Sequence, residues 1–170
     1  MVVDATTGNG KDCLFLSTIV KKGFVFGFDI QEEAINKTTN LLNKNNIKNY
    51  QLFLNDHQNI DKILNKYKNK ISLVVYNLGY LPKSKSNIMT KKESTINSIK
   101  ASLKLLNNKG FILVVAYPHD EGKKEKAEIY KLRKYNYIVN EYKNTTNDLA
   151  PVLLEIKKQS CHITPQLTEI

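Results

Sequence analysis

The fold is decided by the opening stretch of the chain, residues 2–12, which read VVDATTGNGKD. Apolar residues lead into an acid, two glycines follow at positions 8 and 10, and an amphipathic segment continues to Val20. This order is typical of a parallel strand that ends in a tight turn and passes into a helix. Glycine lets the backbone take positive φ and approach a ligand, and the first N–H groups of the helix point into the same space. The stretch predicts a nucleotide-like cofactor, although Gly-x-Gly turns also close ordinary strand-helix connections.

Asp29 closes the next apolar run, residues 23–28. An acid roughly 20 residues after the glycine turn is placed to accept hydrogen bonds from ribose hydroxyls. Dinucleotides and S-adenosylmethionine are both bound in this way. A dinucleotide site wants a third small residue, for which Cys13 would have to serve. Asp4 fits the S-adenosylmethionine version better, because a carboxylate there can reach the ammonium of the methionine moiety directly or through water.

Length and charge limit the remaining alternatives. The chain has 170 residues, which predicts one domain, over residues 1–158, with a loose tail over residues 159–170. Lys and Arg number 26 against 16 acids, for a formal net charge of +10. Such a basic excess suits a polyanionic partner, and it is equally explained by a genome that favours Lys and Asn codons.

The two cysteines and the hydropathy predict a cellular compartment. Cys13 and Cys161 are too few and too far apart for a disulfide framework or a zinc site, which predicts a reducing cytoplasm and no metal. No apolar run approaches the roughly 20 residues needed to span a bilayer, and no signal peptide is recognised. The sequence leaves the oligomeric state open, a homodimer included.

Strand and helix patterns alternate five times along the chain and then change. Strands are predicted over residues 2–4, 23–28, 50–54, 71–76 and 111–117, and helices over residues 11–20, 31–44, 60–67, 92–106 and 125–133. Residues 135–142 and 151–156 are two more strand-like runs with no helix between them, so they can pair as an antiparallel hairpin. This predicts an α/β fold, a single-domain Rossmann-like class I methyltransferase with a seven-stranded, mostly parallel sheet and a C-terminal hairpin. The helix that usually precedes the first strand is expected to be missing.

Polar residues gather where the predicted parallel strands end, which is where open parallel sheets bind ligands. Five such groups follow the predicted strands: residues 4–10, Asp29 with Gln31, Asp56 with His57, residues 77–82, and Tyr117 with His119. Taken singly, each group has a simpler explanation, because polar residues are common at strand ends. Their coincidence at one edge predicts a cofactor and substrate site.

Residues 77–80, Asn-Leu-Gly-Tyr, resemble the Asn-Pro-Pro-Tyr type of motif in amino methyltransferases. In that motif an Asn side-chain carbonyl and neighbouring main-chain oxygens hold an amine in line with the methyl group. Methyl transfer from a sulfonium is a direct displacement, so the protein mainly aligns donor and acceptor and keeps the amine deprotonated. The motif therefore indicates a nitrogen acceptor without naming it.

Four runs together resemble one family. They are residues 3–16, VDATTGNGKDCLFL; residues 27–31, GFDIQ; residues 77–82, NLGYLP; and residues 117–119, YPH. The chain is similar over residues 2–158 to the family labelled as rRNA methylases. Its members are S-adenosylmethionine-dependent tRNA methyltransferases that convert 5-aminomethyl-2-thiouridine at the wobble position to its methylaminomethyl form.

The resemblance implies a role for each matching position and the tRNA anticodon region as partner. The implied cofactor contacts are Asp4, Thr6, Gly8, Asn9, Gly10, Asp12, Asp29, Gln31, Asp56 and His57. The implied catalytic residues are Asn77, Tyr80 and His119, and the implied substrate contacts are Gly79, Pro82, Lys83 and Tyr117. The chain departs from the family at two places: the helix before the first strand is expected to be absent, and the Tyr-Pro-Gly-His pattern is shortened, so that His119 follows Pro118 directly.

Two alternatives stay open. One is a methyltransferase of the same fold that acts on rRNA, on a small-molecule amine or on a protein Gln. The other is a non-catalytic RNA-binding module whose lysines bind the phosphates. If the partner is an RNA, the loop after Pro82 is expected to contact it through Lys83, Lys85, Lys91 and Lys92.

Overall fold

The computed structural model describes residues 1–77, 92–118, 120–144, 146–147 and 150–159, with the backbone alone at residues 92, 93, 120 and 121. The strands in these ranges are β1 (Val2–Asp4), β2 (Val25–Asp29), β3 (Tyr50–Leu54), β4 (Ile71–Asn77), β5 (Leu106–Ala116), β6 (Tyr137–Tyr142) and β7 (Val152–Lys158). The α-helices are α1 (Lys11–Ile19), α2 (Glu32–Lys44), α3 (Ile60–Ile63), α4 (Lys92–Leu105) and α5 (Asp120–Tyr130). Tyr50–Leu54 has the bounds predicted from the sequence.

The seven described strands form one sheet in the order β3-β2-β1-β4-β5-β7-β6. Strands β1 to β5 pair in parallel, and β7 pairs antiparallel with both β5 and β6. The chain moves outward from β1 through β2 to β3 and then returns to the other side of β1 to form β4. The connections therefore leave β1 and β4 in opposite directions, which opens a crevice at their carboxyl ends. The predicted fold class is confirmed.

Both faces of the sheet are covered, which is why its strands carry continuous apolar runs. The cluster on one face includes Phe26, Ile60 and Ile99, and the smaller cluster on the other includes Cys13 and Leu42. Cys13 is 0% exposed, so its predicted place in the core is confirmed. Burying a side chain of the size of Leu42 contributes about 1.5–3 kcal/mol. This packing fixes the parallel strands, and with them the positions of the residues at their ends.

The third predicted helix, over residues 60–67, is shorter in the structure. Helix α3 ends at Ile63, and 3-10 turns flank it at His57–Asn59 and Asn65–Tyr67. The Tyr67 N–H donates to the Leu64 carbonyl at 2.8 Å, a three-residue spacing that tightens the end of a helix. The apolar spacing of the sequence is real, but residues 60–67 form one short α-helical segment followed by a 3-10 turn.

The fifth strand also begins earlier than predicted, at Leu106 rather than at residue 111. Leu106 pairs with Ile71 and Phe111 pairs with Leu73, so the intervening residues form an irregularity inside the strand pairing. An added Cβ on Gly110 would lie 2.8 Å from the Ile71 carbonyl oxygen, which explains a glycine at this close approach. Helix α4 does end just before the Asn-Asn-Lys-Gly sequence, as predicted. That sequence itself belongs to strand β5.

The C-terminal elements are shifted by a few residues. Helix α5 ends at Tyr130, five residues of 3-10 helix follow at Lys131–Tyr135, and Asn136 takes a left-handed φ of 62° before β6 begins. Asn tolerates this conformation better than most residues, and it redirects the chain into the hairpin. No helix of the described residues is long and apolar enough to cross a membrane.

Candidate active site

The turn between β1 and α1 has the conformation that its glycines predict. Gly8 and Gly10 have φ of 50° and 80°, and the Gly10 N–H donates to the Thr7 carbonyl at 2.7 Å. Thr38 of α2 packs beneath the turn and donates its hydroxyl to the Gly8 carbonyl at 3.3 Å. A Cβ on Gly10 would lie 2.9 Å from the Thr38 Cα, so this position requires glycine both by φ and by space.

Helix α1 starts directly behind this turn, with Gly10 as its N-cap and no side-chain hydrogen bond capping it. The first N–H groups of a helix have no partner within the helix. With the helix dipole they form a site for an anion. The turn can therefore receive a carboxylate from a ligand.

Asp29 ties the end of β2 to the same turn. Its Oδ2 accepts from the Gly8 N–H at 2.9 Å, and its Oδ1 accepts from the Gln31 N–H at 2.9 Å. Each carboxylate oxygen has a further lone pair that can accept from a ligand hydroxyl. Gln31 is itself the N-cap of α2, and Asn9 is exposed at the tip of the turn.

Asp4 lies at the end of β1 and is fully buried. Its Oδ1 accepts from the Thr6 N–H at 3.1 Å, whereas Oδ2 has no hydrogen-bond partner among the described residues. Burial raises the pKa of the Asp4 carboxyl to about 7, with the Asp12 and Asp29 carboxylates acting in the same direction and the Cys13 thiol and the Thr6 N–H acting against it. A buried polar atom without a partner is costly, and a positively charged ligand group would relieve that cost.

Asp56 and His57 follow β3. Asp56 caps the next turn, accepting at Oδ1 from the Gln58 N–H at 2.8 Å and at Oδ2 from the Gln58 side chain at 3.0 Å. His57 is 8% exposed, packs edge-on against Tyr76 at a centroid distance of 5.9 Å, and accepts at its carbonyl from the Ser98 hydroxyl. Burial lowers the pKa of His57, so the imidazole is neutral near pH 7. The structure thus places His57 against the core.

Asn77 ends β4 and connects three other elements. Its backbone N–H donates to the Thr6 hydroxyl at 2.8 Å, and its side-chain Nδ2 donates to Asp12 Oδ2 at 3.3 Å. The Tyr117 hydroxyl, after β5, donates to Asn77 Oδ1 at 3.2 Å. Because Asp12 accepts and Tyr117 donates, the two contacts set which side of the Asn77 amide carries the oxygen.

This arrangement was not visible in the sequence. The family resemblance assigns Asp12 and Thr6 to the cofactor, whereas the structure joins both to Asn77. The contacts span 65 and 71 residues, so only the strand order brings the partners together. The sequence signal available was that Asp12 lies in the first turn of a helix that starts at the ligand edge.

Two exposed apolar side chains at this edge are also absent from the sequence assignment. Ile30, directly after β2, is 50% exposed. Leu54, the last residue of the neighbouring strand β3, is 53% exposed. Large apolar side chains left in solvent beside a polar site suit the flat face of a nucleobase. Their sequence signal is an apolar residue placed directly beside an acid or an Asn at a strand end.

The remaining predicted site residues lie outside the described ranges. These are Gly79, Tyr80, Pro82, Lys83 and His119, together with Lys85 and Lys91 of the predicted RNA-contacting loop. Their roles stay predictions.

The family model described as "Putative rRNA methylase" matches residues 25–157. The chain belongs to this family. It is also 30% identical over 173 residues to the chloroplastic tRNA (mnm(5)s(2)U34)-methyltransferase of Arabidopsis thaliana, covering 93% of this chain and 63% of that protein. The chain thus spans somewhat less than two thirds of the length of this curated relative.

Solved structures agree with the family. The "putative rRNA-methylase" of Clostridium thermocellum superposes with a TM-score of 0.82 at 38% identity, covering 92% of this chain and 87% of that one. A "putative methyltransferase" of Streptococcus mutans, in complex with SAH, gives a TM-score of 0.78 at 36% identity with the same coverage. The predicted family, the predicted fold and the predicted cofactor, S-adenosylmethionine, are confirmed by these matches.

The described residues fit this cofactor by their own chemistry. S-adenosylmethionine carries a carboxylate, an ammonium, a sulfonium and two ribose hydroxyls. The free N–H groups at the start of α1 suit the carboxylate, and the unpartnered oxygen of Asp4 suits a positive group. The open lone pairs of Asp29 suit the hydroxyls. These three features occupy the ends of β1 and β2, which we call the cofactor half of the site; the ends of β4 and β5, with Asn77 and Tyr117, are the acceptor half.

Proposed function

We propose that this protein transfers a methyl group from S-adenosylmethionine to the amine of 5-aminomethyl-2-thiouridine at the tRNA wobble position. The product would be 5-methylaminomethyl-2-thiouridine. The observation that carries the proposal is the 30% identity, over 93% of this chain, to a tRNA (mnm(5)s(2)U34)-methyltransferase.

The acceptor half supports a nitrogen nucleophile. S-adenosylmethionine supplies an electrophilic methyl group on a sulfonium, so no covalent enzyme intermediate is required. Asn77 is anchored by Thr6, Asp12 and Tyr117 at the end of a buried strand. A fixed amide oxygen can accept an N–H of the amine and aim its lone pair at the methyl carbon. Alignment of this kind is worth orders of magnitude in rate.

The charge supports an RNA partner. The formal net charge of +10 favours binding to a polyanion, and the proposed partner is the anticodon region of tRNA. The curated relative is chloroplastic, so the cytoplasmic compartment predicted from the sequence stays a prediction.

Nucleoside mass spectrometry tests the proposal directly. The purified protein is incubated with S-adenosylmethionine and with tRNA that carries the aminomethyl precursor, and the digested nucleosides are quantified. We expect conversion of the aminomethyl to the methylaminomethyl nucleoside. Unmodified tRNA of the same sequence is the control, because it lacks the acceptor amine.

The family description makes rRNA the alternative acceptor. The same assay with ribosomal subunits in place of tRNA distinguishes the two. Methylated rRNA with unchanged tRNA would reject the proposed substrate and keep the enzyme class. Binding of RNA without any methyl transfer, and without binding of S-adenosylhomocysteine, would leave only an RNA-binding module.

A further inference from the structure

The acceptor proposed above is chemically unlike the aromatic amines for which an Asn alone is sufficient. An aminomethyl group is an aliphatic amine, and such amines, like lysine with a pKa of about 10.4, are protonated at neutral pH. An ammonium has no lone pair and cannot attack a methyl group. Asn77 can orient an amine, but an amide does not take up a proton in this pH range. An enzyme that uses this acceptor therefore needs a base within reach of Asn77.

Asp12 is the described side chain that meets this need. Its Oδ2 accepts from Asn77 Nδ2 at 3.3 Å, which is its one hydrogen bond through the side chain in the part of the chain that the structure describes. The carboxylate is half-buried, so it remains open to a ligand. Its other oxygen, and the second lone pair of Oδ2, can accept from an ammonium that also meets the Asn77 amide.

The other ionisable side chains near this edge are held differently. Asp29 uses both oxygens for the N–H groups of the turn, and Asp4 is fully buried with the Thr6 N–H on one oxygen. The Tyr117 hydroxyl donates its hydrogen to Asn77 Oδ1, and burial raises the pKa of the Cys13 thiol, which keeps it neutral. His57 is only 8% exposed, and its ring packs against Tyr76 in the core.

We propose that Asp12 is the general base of the reaction: it pairs with the ammonium of the acceptor and removes one proton from it beside Asn77. This inference rests on the proposed function and concerns the acceptor half of the same site. It moves Asp12 from the cofactor contacts implied by the family resemblance to the reacting amine.

The proton and electron balance is complete without a further reagent. One N–H bond of the ammonium breaks, and its proton passes to the Asp12 carboxylate, directly or through one water. The freed lone pair forms the N–C bond, while the C–S bond breaks and leaves its electron pair on sulfur. The methylated amine leaves with two protons on nitrogen, and Asp12 returns its proton to solvent.

The surrounding charges favour a cation at this place. The carboxylates of Asp12 and Asp29 each lie near enough to the Asp4 carboxyl to raise its pKa, so three acids gather at this turn. The neighbouring Cys13 thiol is neutral, because burial raises its pKa. This negatively charged edge therefore attracts the positively charged amine of the acceptor. The phosphates of the same RNA would bind to the basic surface elsewhere on the protein.

The test is the pH dependence of single-turnover methyl transfer to tRNA carrying the aminomethyl nucleoside, for the wild type and Asp12→Asn. The variant keeps the size of the side chain and an oxygen that can accept from Asn77. We expect the wild-type rate to be nearly independent of pH around neutrality. The Asp12→Asn rate should be about 100-fold or more lower at pH 7, the usual contribution of a general base, and should recover about tenfold per pH unit as free amine becomes available.

Two controls make the outcome decisive. Asp61→Asn removes a half-buried carboxylate that pairs with the exposed Lys104 at 3.2 Å, away from the site, and should keep the wild-type profile. A calorimetric titration with S-adenosylhomocysteine should give wild-type affinity for Asp12→Asn. If the variant rate is lower by the same factor at every pH, Asp12 only positions Asn77. If the variant loses affinity for S-adenosylhomocysteine, Asp12 contacts the cofactor. Either result overturns the inference. Absence of transfer by the wild type would instead refute the proposed function.

Discussion

The two halves of the site are built by different means. In the cofactor half, the acids at the strand ends accept from the backbone of the turns beside them: Asp4 from Thr6, and Asp29 from Gln31 and Gly8. In the acceptor half, Asn77 has partners 65, 71 and 40 residues away. The cofactor half therefore depends on two neighbouring strands and their turns, with contacts that span 2 to 21 residues, whereas the acceptor half requires β1, β4 and β5 to lie side by side.

The largest effect is expected at Asp4, the residue of the cofactor half that lacks a local partner on one oxygen. Burial raises its pKa from 3.8 to about 7, so between these values the folded state binds more protons than the unfolded state. Its contribution to stability is complete below about pH 4 and is lost as the pH rises through 7. With about 1.4 kcal/mol per pKa unit, the loss is on the order of 4 kcal/mol.

Urea unfolding of the ligand-free protein at several pH values from 4 to 8 measures this effect. The stability of Asp4→Asn relative to the wild type should increase steadily over that range, because Asn does not titrate. Asp61→Asn serves as the control and should show no such trend. A constant difference between Asp4→Asn and the wild type would mean that Asp4 ionises normally, with a partner for its second oxygen.

The next effect tests the acceptor half alone. Asn77→Ala removes the amide that Asp12 and Tyr117 hold, and we expect single-turnover methyl transfer to fall by about 100-fold or more. Calorimetric affinity for S-adenosylhomocysteine should stay close to that of the wild type, because the cofactor half keeps its own local contacts. Loss of cofactor binding along with turnover would show that the two halves of the site are not independent.

A smaller effect is expected at Asp29, which tests the cofactor half alone. Asp29→Ala removes the acceptor of the Gly8 N–H as well as a predicted acceptor for ribose hydroxyls. Hydrogen bonds to a charged group contribute about 1.5–3 kcal/mol, so affinity for S-adenosylhomocysteine should fall by roughly 10- to 150-fold. The exposed Glu33, which pairs with Lys37 on α2, provides the matched control as Glu33→Ala. Unchanged affinity would remove Asp29 from the cofactor contacts.

The same comparison explains how far the sequence predicts the structure. The glycine turn, the acid at the end of β2 and the apolar strands are local patterns with a local cause, and the alternation of strands and helices predicts a mostly parallel sheet without fixing the order of its strands. The hydrogen bonds of Asn77 depend on β1, β4 and β5 lying side by side, so no spacing in the sequence reveals them. The start of β5 at Leu106 was missed for a related reason: an Asn-Asn-Lys-Gly run that ends a helix lies inside the strand pairing with Ile71.

The smallest effect is expected at Tyr117, and it tests whether the acceptor half is a connected unit. Tyr117→Phe keeps the ring and removes the hydroxyl that donates to Asn77 Oδ1 at 3.2 Å. One hydrogen bond of this kind contributes about 0.5–1.5 kcal/mol, which corresponds to a loss of roughly 2- to 12-fold in the transfer rate. Cofactor affinity should not change, because two strands, β1 and β4, lie between the strand that ends at Asp29 and the strand that precedes Tyr117. The informative measurement adds the double variant Asn77→Ala/Tyr117→Phe. If the hydroxyl acts by orienting the Asn77 amide, its removal has no further effect once that amide is gone, and the double variant transfers methyl at the rate of Asn77→Ala alone. If the two losses multiply instead, Tyr117 contacts the acceptor independently of Asn77, and the orientation of the amide is set by Asp12 without help from β5.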